Sequence, residues 1–243
     1  MVRIVRIHGI RPKGGARDGV GVSKEEVVRF GMDYSHGTGP DENWVVEEQR
    51  FDRDAAGNME SLFCLGNGYM GIRATAEEHY SFETKGFFVA GLFDAFHGND
   101  LNLEVSELAN SPDWLATEII LDGEPFTLAE GRPLSYSRRL NLRSGEFVRD
   151  IEWESPKGRV TKLSFHRFTS VASLHVAGLR KSVVPLNYSG TLQVKSGIDG
   201  QLTNSGVQHY RAGGYRVFEN GTMYVSHELN PGQTVTITTA EDR

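Results

Sequence analysis

The sequence holds one cysteine, Cys64, so no disulfide can form within the chain and its stability needs no oxidising compartment. Set between Phe63 and Leu65, that thiol is expected in the core and not as a reactive group. No run approaches the roughly 18 apolar residues of a membrane span. The opening MVRIVRIHGIRPKGG is broken by polar residues every second or third position, unlike the continuous apolar region of a signal peptide. A cytoplasmic protein with no membrane partner is the resulting expectation. Blocks of like charge are missing too: the formal net charge is −6, with Lys and Arg scattered among the acids, which argues against a nucleic-acid partner. The eight histidines stand singly and no HxH, HxxxH or CxxC occurs, so no metal site is expected. GxSxG is absent, which leaves Ser61 without a nucleophile's strained turn. Long helical periods, low-complexity linkers and internal repeats are missing as well.

What the chain has instead is a procession of short β-type runs from Asn43 onward. Trp44 to Phe51 opens it, Gly86 to Phe93 follows, and Thr117 to Leu121 leads into the turn signal Asp122-Gly123. Phe147, Ile151 and Trp153 share one parity while Asp150 and Glu152 take the other, as in a sheet with one wet face. Leu163 and Phe165, then Val235 and Ile237, alternate in the same way. Turn signals at Ser144-Gly145, Lys157-Gly158, Ser189-Gly190, Asp199-Gly200, Gly213-Gly214, Asn220-Gly221 and Pro231-Gly232 separate these runs. Their spacing predicts an all-β antiparallel sandwich forming one domain over residues 43–243. Residues 1–42, Gly-rich and punctuated by Arg3, Arg6, Arg11 and Arg17, look like a poorly ordered extension or a basic arm, with one helix-like piece over Ser23 to Met32.

The run Glu60 to Arg73, ESLFCLGNGYMGIR, concentrates Gly66, Gly68 and Gly71 beside Asn67. Asn-Gly predicts a tight hairpin between Leu62–Leu65 and Tyr69–Ile72. A loop shaped to meet a ligand or partner is the alternative, although GNGYMG lacks the GK[ST] ending of a phosphate loop. Carboxylates that could pair across a sugar are Glu77, Glu78, Glu104, Glu107, Asp113 and Glu118. Adjacent acids on a strand point to opposite faces, most of these acids are expected to be solvated, and no pair stands out. Taken alone, the residues yield a β-sandwich and no catalytic residue. Trp44 and Trp153 are expected in the core, whereas Trp114, after Pro112-Asp113, falls in a loop as either a core residue or a sugar platform.

The order of motifs adds a resemblance. WVVEEQRFD (Trp44 to Asp52), ESLFCLGNGYMGIR, AEE (Ala76 to Glu78), GLFD (Gly91 to Asp94), ELANSPDW (Glu107 to Trp114), LDGEPF (Leu121 to Phe126), SRRLNLRSGEFVRDIEWESPKGR (Ser137 to Arg159), HRFTS (His166 to Ser170) and SGIDGQLTN (Ser196 to Asn204) follow one another in the chain. Together they resemble the N-terminal domain of glycoside hydrolase family 65, whose members include maltose, kojibiose, nigerose and trehalose phosphorylases and some acid trehalases.

The resemblance implies a large antiparallel sandwich preceding a helical linker and an (α/α) barrel. In such enzymes a barrel glutamate protonates the glycosidic oxygen of an α-linked glucose disaccharide while inorganic phosphate, the co-substrate, attacks the anomeric carbon with inversion. No cofactor is implied. The barrel groups would lie beyond Arg243, so no catalytic residue carries over, and the chain is expected to be inactive alone as a truncated or separately encoded domain. In the family the sandwich packs on the barrel and often takes part in a homodimer. Asn67, Tyr69, Arg73 and Trp114 are the residues expected at the substrate rim or domain interface. A stand-alone carbohydrate-binding or protein-interaction module is the rival expectation. Ala74, where the family more often has Gly, and Ser111, where a hydrophobic residue is commoner, depart from the pattern.

Overall fold

The structure is a computed structural model and describes residues 2–8, 44–79, 83–97, 104–229 and 232–242. In chain order its elements are β1 (Val2–His8), β2 (Val45–Glu48), α1 (Ala56–Leu62), β3 (Leu65–Gly66), β4 (Met70–Ile72), β5 (Phe87–His97), β6 (Glu104–Asn110), β7 (Thr117–Leu121) and β8 (Glu124–Pro125). Then come β9 (Arg132–Asn141), β10 (Glu146–Glu154), β11 (Val160–Thr169), β12 (Val176–Pro185), β13 (Leu192–Ser196), β14 (Tyr210–Val217), β15 (Met223–Leu229) and β16 (Thr234–Asp242). Nine strands make one sheet in the order β14-β15-β16-β1-β12-β11-β10-β9-β2, and two smaller sheets, β13-β7-β8 and β3-β4-β5-β6, complete the sandwich. Neighbouring strands run antiparallel. The all-β sandwich expected from the alternation is the fold observed.

Alternation dictates the inner face. Along β10 the side chains of Phe147, Ile151 and Trp153 are buried while Asp150 and Glu152 are not, and β11 buries Leu163 and Phe165 opposite them. From the facing layer, the Phe126 ring meets Trp153 edge-on at 5.4 Å and stacks over Phe165 at 6.4 Å, and Phe63 meets Phe147 edge-on at 6.2 Å. Each such ring contributes about 1.5–3 kcal/mol by leaving water. Turns follow their residues: Asp122 and Gly123 both take positive φ, 51° and 83°, the pairing that a two-residue hairpin between β7 and β8 requires.

Several expectations are corrected. Val2–His8, placed by the sequence in a poorly ordered extension, is a strand hydrogen-bonded to β12 on one side and β16 on the other. The helix-like piece Ser23–Met32 lies outside the described residues. Gly213-Gly214 is not a turn between strands but a bulge inside β14, where a Cβ on Gly213 would meet the Ser226 carbonyl oxygen at 1.8 Å. Residues Ala56–Leu62 form a helix, so the segment before the hairpin is helical and not a strand. Because that helix ends beside Phe63, Phe63 and Leu65 turn inward and Cys64 between them is exposed, contrary to its expected burial. Trp44 is 48% exposed at the start of the edge strand β2, whereas Trp153 is fully buried as expected.

Candidate functional site

The GNGYMGIR hairpin is real and short. Leu65 pairs with Ile72 and Gly66 with Gly71, and Gly68 takes φ +86°, a conformation a side chain would strain. Asn67 Oδ1 accepts from the amides of Tyr69 (3.1 Å) and Met70 (2.9 Å), while its Nδ2 donates to the carbonyls of Ser170 (2.7 Å) and Leu174 (3.0 Å). One side chain thus shapes the turn and ties it to the β11–β12 connection. Arg73 is equally committed: Nη1 donates to Ser61 Oγ (2.6 Å), Nη2 to the Gly57 carbonyl (2.9 Å) and Nε to the Thr84 carbonyl (2.9 Å), which fastens α1 to the segment before β5. Tyr69 is half-buried against His175, ring centroids 4.1 Å apart. Trp114 does lie in a loop, yet it is 1% exposed and meets Phe87 edge-on at 6.4 Å. A sugar cannot stack on a ring so enclosed, and the rim reading of Trp114 is corrected to core.

The chain after the hairpin, Ala74 to Glu78, is buried throughout, and its two acids are not solvated: Glu77 is 0% and Glu78 2% exposed. Arginines on the inner face of the large sheet hold them. Arg149 of β10 donates Nη1 to Glu78 (2.8 Å) and Nη2 to Glu77 (2.6 Å) and also to the second Glu78 oxygen, and Arg167 of β11 pairs Nε with Glu77 at 2.6 Å. Arg167 and Arg138 further donate to the carbonyls of Thr75 and Ala74, and Arg138 pairs with Glu48. Each guanidinium also faces an aromatic ring: Arg149 over Phe165 at 4.5 Å, Arg167 over Phe147 at 4.7 Å, Arg138 over Phe63 at 5.4 Å. Burial pushes the Glu77 carboxyl up, but Arg167 and Arg149 outweigh it and hold the group below the usual carboxylate range. Both acids can reach one guanidinium because Glu77-Glu78 sits in a bend outside any strand, which removes the opposite-face argument.

Beyond Glu78 the charges are less completely paired. His79 Nδ1 lies 2.5 Å from Glu83 Oε1, and Lys85 Nζ lies 3.8 Å from the same oxygen and 2.6 Å from Asp113 Oδ2. Burial pushes the Glu83 carboxyl up to about 7. His79, Glu83 and Lys85 line a cleft of about 630 Å³, closed on its other side by the strap from Lys195 to Thr203. The strap is anchored by paired backbone bonds between Asp113 and Asp199, both 2.8 Å, and by the Gly197 amide on the Ala116 carbonyl at 3.0 Å.

The other acids considered as a catalytic pair are placed apart in role. Asp113 holds Lys85, Glu118 pairs with Lys195 at 2.9 Å, and Glu107 accepts from Asn204 and meets His209 Nε2 at 3.2 Å. His209 is buried, its Nδ1 3.1 Å from Asp94, which joins β5 and β6 to the segment before β14. The Glu104 side chain lies outside the described residues. Among those residues no group of three or more His, Cys, Asp or Glu is placed to hold a metal ion, and no helix is long and apolar enough to cross a membrane. Sequence alternation missed Arg138, Arg149 and Arg167, although each occupies the apolar parity of its strand, and that misplacement of charge was the available signal.

Residues 46–242 match the family described as glycosyl hydrolase family 65, N-terminal domain. This chain belongs to that family. A kojibiose phosphorylase of Halothermothrix orenii is 47% identical over 210 residues, 86% of this chain and 26% of that protein. A kojibiose phosphorylase of Escherichia coli K12 is 32% identical over 190 residues (78% and 24%), and an α,α-trehalose phosphorylase of Thermoanaerobacter brockii 31% over 175 (68% and 23%). The chain therefore spans about a quarter of the length of these curated relatives. A solved human-microbiome protein provisionally named a kojibiose phosphorylase shares the fold at TM-score 0.65 and 19% identity, covering 82% of this chain and 32% of its own. Of the two departures from the family pattern, Ala74 is buried with its amide on the Glu60 carbonyl, and the Ser111 hydroxyl meets the Tyr210 hydroxyl at 3.0 Å.

Proposed function

We propose that the chain works as the non-catalytic sandwich domain of a family 65 disaccharide phosphorylase or hydrolase acting on α-glucosides, packed against an (α/α) barrel that carries the chemistry. The observation that carries this reading is the family match across residues 46–242. The geometry is consistent with it: the acids of the Glu77-Glu78 segment are consumed by arginines, which leaves that segment no carboxylate free to act as acid or nucleophile. In this reading the exposed hairpin edge at Gly66 and Gly68, with Tyr69 beside it, meets the barrel, and Asn67 and Arg73 fix its shape from within. Inorganic phosphate would be the co-substrate of a phosphorylase, a cytoplasmic setting suits a chain with a single cysteine, and a homodimer would form through the assembled enzyme.

Incubating the chain with kojibiose, maltose or trehalose and phosphate, and assaying glucose 1-phosphate, tests the assignment. No product is expected from this chain, and turnover abolished by Glu83→Gln would overturn it. A second reading, a carbohydrate-binding module, is favoured by one observation, the polar cleft between His79, Glu83, Lys85 and the Lys195–Thr203 strap.

A further inference from the structure

The clamp at Glu77 meets its carboxylates with guanidinium groups, although Arg149 Nε there is buried without a hydrogen bond, whereas the cleft beside it leaves a carboxylate oxygen unmet. Glu83 has a side chain 6% exposed, its Oε1 is engaged by His79, and its Oε2 is buried with no hydrogen-bond partner among the described residues. A buried oxygen left unpaired costs about 1–3 kcal/mol. Native structures rarely carry that cost without a use for the atom.

The remaining lining narrows what could use it. Both lysines lining the cleft stand against acids, Lys85 against Asp113 at 2.6 Å and Lys195 against Glu118 at 2.9 Å, so neither is free to hold an anion. No metal-holding group of acids and histidines exists among the described residues. Asn110, Thr117, Ser196 and Thr203 complete the wall; Asn110 and Thr117 are bonded within the chain, and Lys181 Nζ stands behind Thr117 and Ser196, 2.9 Å from each hydroxyl. The cleft volume lies within the range of small-molecule sites. A hydroxyl donates and accepts through the same atom, so a ligand rich in hydroxyls can satisfy a wall of mixed groups and an oxygen that changes role with its proton.

We propose that this cleft, between His79, Glu83 and Lys85 on one side and the Lys195–Thr203 strap on the other, binds a neutral hydroxyl-rich ligand of sugar size, an α-glucosyl unit, with a ligand hydroxyl on Glu83 Oε2. The sugar class rests on the family 65 assignment, whereas the location and the demand for hydroxyls rest on the cleft itself. With the carboxyl pushed up to about 7 by burial, part of the population near neutral pH donates a proton to a sugar oxygen and part accepts from a hydroxyl. The strap's backbone pairs to Asp113 and Ala116 hold the far wall in place before any ligand arrives.

Titrating methyl α-glucoside and maltose into the full chain while following backbone amide resonances tests this directly. Saturable shifts at Thr84, Ser196, Gly197 and Thr203 with millimolar affinity are expected. Glu83→Leu should weaken binding about tenfold, the value of one hydrogen bond to a charged group, and Glu83→Gln, which keeps a donor and an acceptor, should stay within about threefold. Gln201→Trp, at an exposed position on the cleft rim, should abolish binding while leaving other resonances in place, and so serves even where Glu83→Leu does not fold. Absence of shifts at tens of millimolar sugar, binding unchanged in Gln201→Trp, or tighter saturation of the same amides by inorganic phosphate would each overturn the proposal. None of these results bears on the assay for glucose 1-phosphate, so the two readings fail separately.

Discussion

Glu77-Glu78 and Glu83 lie within one stretch of chain, are all largely shielded from water, and meet opposite fates. The first two lie against Arg149 and Arg167, and the balance of burial and attraction falls on the side of charge at Glu77. The third has a histidine and a distant lysine, and burial wins. Burial alone therefore does not mark a functional acid in this domain. What separates scaffold from site is whether opposite charge meets the desolvation cost, and the arginines, planar and backed by phenylalanine rings, meet it where lysine at 3.8 Å does not.

The largest effect expected from this contrast is at the clamp. Arg149→Met leaves two buried carboxylates short of a partner and should cost about 3–5 kcal/mol in urea unfolding. A loss below about 1 kcal/mol, the value of an exposed pair, would erase the distinction between the two regions.

A smaller loss is expected at the hairpin. Asn67→Ala removes two bonds that shape the turn and two that tie it to the Ser170–Leu174 connection, and should cost about 1–2 kcal/mol by the same measurement. An unchanged midpoint would return Asn67 to a role at the domain boundary.

The smallest effect has the opposite sign. The folded state keeps the Glu83 proton up to about 7 while a glutamate in the unfolded chain releases it near 4.5, so the folded state binds more protons across that window and stability falls as pH rises through it. Glu83→Gln removes the buried charge and should stabilise the chain by about 1 kcal/mol at pH 8, a figure discounted for solvent screening, with little change at pH 5. Equal effects at both pH values would detach the raised carboxyl from stability.

Much of this was legible in the sequence. Phe147, Ile151 and Trp153 gave the wet and dry faces of β10, Asp122-Gly123 gave the β7–β8 hairpin, and the ordered motifs gave the family. Other features were hidden because they depend on contacts distant in sequence. Arg149 and Arg167 break the apolar alternation only until Glu77 and Glu78, some seventy to ninety residues earlier, come to meet them. Cys64 and Trp44 were misassigned because local apolar neighbours do not reveal where a short helix ends or which strand is an edge. Val2–His8 lies outside the matched family region and shows its place only through pairing with β12 and β16. The unpartnered Glu83 oxygen likewise has no local signature, since its isolation is a property of the folded cleft.

A side-chain carboxyl titration by carbon-13 NMR on the intact chain tests the contrast most directly. The account predicts that Glu77 stays ionised through the ordinary carboxylate range while Glu83 titrates with a midpoint of about 7. An ordinary midpoint for Glu83, or a Glu77 that takes up its proton above the usual range, would contradict it.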